Sequence, residues 1–253
     1  MSTRDGCSGE MMDTIEYEKR LYNEHSGEQI KRYSGKASKI VNDYWDSKLV
    51  SMLDLSGNDL VLDCGCGVGM IANKISSIHP VNVVGIDLSQ SLIKIARRES
   101  KAFFVVGDAE NLPFKDRTFD RIVGKGILHH LHKPEKGVHE LRRVLKKKGK
   151  FVVSEPNRSN PLIGLTRFFL KKLKHSYSEK QVYFSPADIR ELIPNSKLTY
   201  FGYFAYPLGF ADILHVPLPS CAVKFLIQID ELLSRIPIIN MFSWNIIAEI
   251  EYQ

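Results

Sequence analysis

Short apolar runs separated by segments of helical spacing recur through the middle of the chain. Residues 60–63, 81–87, 102–106, 119–124 and 151–154 read as strands, and 69–77, 89–98 and 134–145 as the helices between them. Strands that are apolar along their whole length are buried on both faces, and strands alternating with helices predict a mainly parallel sheet. The helix starts carry their own signals. Ser89 suits an N-cap and Arg97 with Arg98 a helix C-terminus. Residues 146–150 are a basic turn into the fifth strand.

Helical spacing also precedes this alternation. Residues 12–25 carry Ile15, Leu21 and Tyr22, and residues 28–53 carry Ile40, Val41, Tyr44, Leu49 and Leu53. These helices are expected to cover the sheet's edge. After Glu155 the rhythm changes. Residues 157–182 read as an insertion with a helix at 162–174. Ser185-Pro186-Ala187-Asp188 has the form of a capping box, and its helix must stop before Pro194. Residues 198–206 read as an aromatic-rich strand, 222–234 as a helix and 244–252 as a last strand. The whole, 1–253, is expected to be one α/β domain: N-terminal helices at 1–57, a binding core at 58–156, and a C-terminal part at 157–253.

Composition narrows the setting. Hydrophobic residues make up 43% and charged residues 25%, an ordinary globular balance. The net charge of +6 permits an anionic partner without demanding one, and a solvated basic face is the simpler reading. Cys7, Cys64, Cys66 and Cys221 form no C-x-x-C pair, so neither a zinc site nor a disulfide framework is expected, and a reducing cytoplasm is the simplest home. The N-terminus lacks an apolar signal region, and no apolar stretch is long enough to span a membrane.

The candidate chemistry lies at 61–69, Val-Leu-Asp-Cys-Gly-Cys-Gly-Val-Gly. Glycines there let the backbone approach a ligand closely, and the next helix points its N-terminus at it. A G-x-G alone is weak, but three carboxylates sharpen it. Asp63 precedes the glycines, Asp87 ends the second strand where it can accept from ribose hydroxyls, and Asp108 follows the third, where it can accept from an adenine amino group. Three acids disfavour the pyrophosphate of NAD and suit a net cationic sulfonium nucleotide. The dinucleotide fingerprint also fails, because Met70 stands where its third glycine belongs.

Residues 59–156 resemble the catalytic core of class I methyltransferases, close to the small-molecule group called methyltransferase type 11. The resemblance rests on 61–69, 84–87, 107–114, Phe119-Asp120 and Leu128-His129-His130-Leu131. It implies a Rossmann-like, mainly parallel seven-stranded sheet flanked by helices, with helical insertions after strand five and between the last two strands. It implies S-adenosyl-L-methionine as cofactor. Asp63, Gly65, Cys66, Gly67 and Gly69 would surround the methionine part, with Tyr33 closing over its carboxylate. Asp87 with Leu88 would take the ribose, and Asp108 with Ala109 the adenine.

Methyl transfer is an in-line displacement, and a base is needed only if the nucleophile starts protonated. Candidate bases are His129, His130 and His132, with Glu155 at the end of strand five. Against each stands a structural role, and for Glu155 a helix cap or ion pair. The histidine spacing fits no common metal site, so no metal is expected. Cys64 and Cys66 read as small residues in a crowded turn.

For the acceptor, 124–127 lacks the sequences typical of base amino-methylation. Tyr200, Phe201, Tyr203, Phe204, Tyr206, Phe210 and Leu214, with Asp212 and His215 among them, favour a hydrophobic or amphipathic small molecule, or else merely pack the inserted helix. In helix 162–174 the apolar and basic faces oppose, which suits a lid, or a peripheral membrane contact as the alternative. The reading is a methyltransferase for a small acceptor. An RNA or protein methyltransferase, a non-catalytic cofactor-binding subunit and an NAD-dependent dehydrogenase stand behind it. Oligomeric state has no signature in the sequence.

Overall fold

The computed structural model describes residues 35–163, 182–209 and 218–252. The expected helix at 12–25, most of that at 162–174 and the segment at 210–217 lie outside the described residues.

The described residues open with helix α1 (Lys36–Met52) and continue through β1 (Leu60–Cys64), α2 (Met70–Ile78), β2 (Asn82–Asp87), α3 (Gln90–Glu99), β3 (Phe103–Val106), β4 (Phe119–Lys125), α4 (Pro134–Val144) and β5 (Leu145–Pro156). Then follow α5 (Pro186–Leu192), β6 (Lys197–Phe201), α6 (Ala205–Gly209), α7 (Ser220–Leu233) and β7 (Asn245–Glu251). The seven strands form one sheet in the order β3-β2-β1-β4-β5-β7-β6. Pairing is parallel from β3 to β5, and β7 runs antiparallel to both β5 and β6. The expected mainly parallel α/β sheet is therefore present, with α6 and α7 inserted between its last two strands.

Alternation along each strand divides the core. Val61, Val123, Val152 and Ile247 meet Trp45 and Leu49 of α1 and Leu53 at its C-cap, with Ile71 and Ile75 of α2. Leu62, Ile122, Phe151 and Val153 meet Leu141 of α4 and Ile189 of α5 on the other face. Asp63, Lys125 and Ser154 thus project on the α1 side, and Glu155 on the α4 side.

Local signals act as read. The Ser89 hydroxyl accepts from the Leu92 N–H at 3.3 Å, and Ser185 with Asp188 forms the capping box. Two expectations need correction. The strand read at 198–206 stops at Phe201, and 205–209 is helical. Gly202 adopts φ 77°, and the buried Asp230 carboxylate of α7 accepts from the N–H groups of Tyr203, Phe204 and Ala205, which turns the chain into α6. The basic turn at 146–150 is a bulge inside β5, since Leu145 pairs with Phe119 and Lys150 already with Arg121.

Candidate active site

β1 delivers Asp63 to the carboxyl edge of the sheet, and the chain then makes a left-handed turn. Gly65, Gly67 and Gly69 have φ of 73°, 53° and 81°. The turn is stitched to β2: the N–H groups of Gly65 and Cys66 donate to the Ile86 carbonyl at 2.8 and 3.0 Å. The Asp87 carboxylate accepts from the Gly67 N–H through Oδ2 and from the Ser89 N–H through Oδ1, both at 2.9 Å. Asp87 thus fixes the glycine turn and the start of α3 together.

The three glycines face different surroundings. A Cβ on Gly65 would stand 2.7 Å from Ile127, and one on Gly69 2.8 Å from Phe104, whereas one on Gly67 would meet nothing within 4 Å. The backbone at Gly67 therefore borders open space.

Asp63 is buried, and its Oδ2 accepts from the Ala72 N–H of α2 at 3.0 Å. Burial pushes its carboxyl up to about 7, with the nearby charges of Asp46 and Asp87 adding to the rise and Lys125 opposing it. Burial also raises Asp87, against the pull of its two N–H donors. Carboxylates held in this way gain from a cation. The arrangement fits S-adenosylmethionine, with open space beside Gly67 and acids around it, and offers little to a pyrophosphate. Asp108 stands after β3, accepting from the Glu110 N–H and the Asn111 amide at 2.8 and 2.9 Å, beside the buried Ala109. Leu88 follows Asp87 and is half-buried, and Tyr33 lies outside the described residues. Burial raises the thiols of Cys64 and Cys66, which keeps both protonated and unreactive.

On the other face of β5, Glu155 is fully buried. Its Oε1 accepts from the Leu128 N–H at 2.7 Å, and its Oε2 accepts from the His129 N–H at 3.3 Å and lies 2.6 Å from His129 Nδ1. The carboxylate therefore both caps the 3-10 turn at Leu128–His130 and pairs with an imidazole. Burial pushes Glu155 up to about 7. The His130 ring lies 4.0 Å from that of His129, and Tyr183 meets His129 edge-on at 5.3 Å. Burial and the neighbouring His129 hold His130 well below the usual imidazole range. His132 is exposed, and its backbone N–H donates to Glu110. The structure thus brings His129, His130 and Glu155 together and leaves His132 aside. Among the described residues no cluster has the makings of a metal site, and no helix is long and apolar enough to cross a membrane.

A second polar group at this edge has no counterpart in the sequence reading. Lys125 Nζ, at the end of β4, donates to Asp46 Oδ1 at 2.6 Å and Asn42 Oδ1 at 3.0 Å, and stands 4.4 Å from the Trp45 ring centre. Trp45 Nε1 donates to Ser154 Oγ at 3.1 Å. The signal lies in α1, where Ser38, Asn42 and Asp46 recur every fourth residue as a buried polar stripe among apolar positions. An open cleft lined by Arg142, Lys150, Lys197 and Glu249 lies at the opposite end of the sheet; two of its lysines are paired to Glu249.

A glycine turn fixed by one acid, flanked by two more and set at the carboxyl edge of a sheet in this strand order, defines a sulfonium-nucleotide class of enzyme. Comparison with known proteins agrees. A family described as a methyltransferase domain matches residues 62–153. The demethylmenaquinone methyltransferase of Thermotoga maritima is 33% identical over 132 residues, 50% of this chain and 58% of that protein. The ubiquinone/menaquinone biosynthesis C-methyltransferase UbiE of Citrifermentans bemidjiense is 30% identical over 193 residues, 69% of this chain and 80% of that protein. Among solved structures, a SAM-dependent methyltransferase of Thermotoga maritima, described as a possible histamine N-methyltransferase, superposes with a TM-score of 0.64 at 17% identity. That match covers 93% of this chain and 99% of that one, and it shows the fold. The chain spans little more than half of the first relative, 58%, and most of the second, 80%. The chain belongs to the class I S-adenosylmethionine-dependent methyltransferases.

Proposed function

We propose that the protein methylates a carbon of a small hydrophobic acceptor of the hydroquinone type, with His129 as base and Glu155 as its positioning residue. The observation that carries this reading is the buried Glu155–His129 pair, with its 2.6 Å contact, at the sheet edge that also bears the glycine turn. Bound S-adenosylmethionine supplies an electrophilic methyl carbon on a good leaving group. What the chain must add is alignment, dryness and a nucleophile.

A phenolic ring carbon becomes nucleophilic when its ring hydroxyl loses a proton, and after methyl transfer the same carbon releases its hydrogen as a proton, which restores the aromatic ring and the hydroxyl. A proton on His129 Nδ1, shared with Glu155, leaves Nε2 as the basic nitrogen. Burial of Glu155 strengthens that contact. His130, whose burial disfavours charge, adds a neutral ring beside it. The α1 side of the same edge, across the sheet from the Glu155–His129 pair, is aromatic: Trp45 lies 5.6 Å from Phe201 and 5.2 Å from Tyr206, which lies 5.8 Å from Trp244. Asn245 at the same edge is buried with both amide atoms lacking a hydrogen-bond partner, as ordered polar groups of a ligand would supply. Two relatives carry names for methylation of quinone precursors, which supports the acceptor class.

The test is transfer of labelled methyl groups from S-adenosylmethionine to 1,4-dihydroxynaphthalene, a prenylated derivative of it, histamine and transfer RNA. Activity on the two naphthalenediols, lost in His129→Ala and reduced in Glu155→Gln, is expected. Activity confined to histamine or RNA would reject the reading.

A further inference from the structure

We infer that Lys125 is the residue that receives the α-carboxylate of S-adenosylmethionine, held ready for it by Asp46 and Asn42 of α1. The inference rests on the cofactor assignment above, and it concerns the amino-acid end of the ligand.

The argument begins with charge. The edge around the glycine turn carries Asp46, Asp63 and Asp87, and the first two are nearly fully buried. Three acids welcome a sulfonium and an ammonium. They repel the carboxylate attached to the same carbon as that ammonium, and in a desolvated site that repulsion is strong. A zwitterionic end group therefore needs a cation within the same cluster. Among the described residues, Lys125 is the cation whose charge acts on Asp63.

Register places Lys125 correctly for this. Gly124 is the cross-strand partner of Cys64, so Lys125 stands one step further along the edge, opposite the start of the glycine turn at Gly65. It shares the α1 face with Asp63. Its Nζ does not wander: Asp46 at 2.6 Å, Asn42 at 3.0 Å and the Trp45 ring at 4.4 Å fix it from the helix side. An ammonium is a point charge with three donors, and a lysine pinned by two acceptors of one helix is oriented before a ligand arrives. The buried stripe Ser38, Asn42, Asp46 has its explanation here. The helix bears polar groups toward the sheet because it aims a cation.

A purely structural role, in which Lys125 only ties α1 to β4, makes a different prediction, and the experiment separates the two. Binding of S-adenosylhomocysteine and of its decarboxylated analogue, which keeps adenosine, thioether and ammonium, is measured by calorimetry on the wild type and on Lys125→Met. The wild type should prefer the carboxylated ligand by about 10- to 100-fold, the worth of a charge-assisted hydrogen bond. Lys125→Met should bind both alike, losing affinity only for the carboxylated one. Should Lys125→Met fail to fold, Lys125→Gln, which keeps an N–H donor toward Asp46, replaces it in the same comparison, and Lys125→Arg should restore the preference. Equal binding of the two ligands by the wild type would overturn the inference, as would a preference that survives the loss of Lys125 or an equal loss for both ligands. A wild type that binds neither ligand would overturn the cofactor assignment itself.

Discussion

Asp87 accepts the backbone N–H of Gly67 at 2.9 Å, so the acid expected to read the ribose also sets the conformation of the turn that a ligand approaches. Its second oxygen accepts from Ser89, the N-cap of α3. The two jobs are linked, because each carboxylate oxygen retains a further lone pair for a hydroxyl. Asp87→Ala removes the acceptor of the Gly67 and Ser89 N–H groups and of the ribose expected there. Affinity for S-adenosylhomocysteine should fall by about 1–3 kcal/mol. Calorimetry checks this, and an unchanged Kd would place the ribose elsewhere.

Gly65 and Gly67 should respond to the same substitution in opposite ways. Both have positive φ, so alanine costs each about 1–2 kcal/mol of backbone strain. Gly65→Ala also drives a Cβ to 2.7 Å from Ile127 and should lower the Tm by several degrees. Gly67→Ala meets nothing within 4 Å, so its Tm should fall less. Its methyl group enters the open space beside the turn, and cofactor affinity should suffer more than in Gly65→Ala. Paired melting curves and binding isotherms for the two variants settle the contrast.

The parts of this molecule that were legible in the sequence are those where chemistry is local. The buried strands declared themselves by apolar runs, Ser89 and Ser185 by capping geometry, and the turn by three glycines between acids. Pairings between distant positions were not legible. Asp230 captures three N–H groups of 203–205 from the far side of an inserted helix, and no periodicity at 198–206 carries that information. Lys125 reads as one more polar residue after a strand until α1 brings Asp46 against it. Glu155 reads in the sequence as a candidate base or else as a cap or ion pair, and the fold makes it both cap and pair, because the 3-10 turn after β4 folds back over the end of β5.

The capping box offers a control without chemistry. Ser185 Oγ accepts from the Asp188 N–H at 3.2 Å, and Asp188 Oδ2 accepts from the Ser185 N–H at 2.6 Å. Ser185→Ala should destabilise the fold by about 1 kcal/mol. Denaturant titration reads that loss directly. Cofactor affinity should stay at the wild-type value, since α5 covers the α4 face of the sheet, away from the glycine turn.

Acidity supplies the last prediction. Asp63 and Glu155 are each pushed up to about 7 by burial, whereas unfolded carboxyls titrate near 4. Between those limits the native state holds protons that the unfolded chain has released. Stability from these two groups is therefore greatest below about pH 4, falls as pH rises, and levels off above about pH 7. Asp120, Glu140 and Asp188 are held below the usual carboxyl range, and their stabilisation is lost only as pH falls below about 4, so they do not mask the window. His130, held well below the usual imidazole range, acts in the opposite direction below about pH 6.5, so the carboxyl contribution is read, without cofactor, as the stability difference between the wild type and the Asp63→Asn/Glu155→Gln double variant, which should decline from about pH 5 to about pH 8 by roughly 2–5 kcal/mol. Asp63→Asn keeps an oxygen for the Ala72 N–H and removes the titration, so it should flatten part of the slope, and Glu155→Gln a further part. A cationic ligand favours the ionised Asp63, so S-adenosylmethionine should bind with release of a proton near pH 6, seen as a dependence of the calorimetric heat on buffer ionisation enthalpy. A slope identical in the wild type and the double variant would mean that these two carboxyls are ionised at neutral pH.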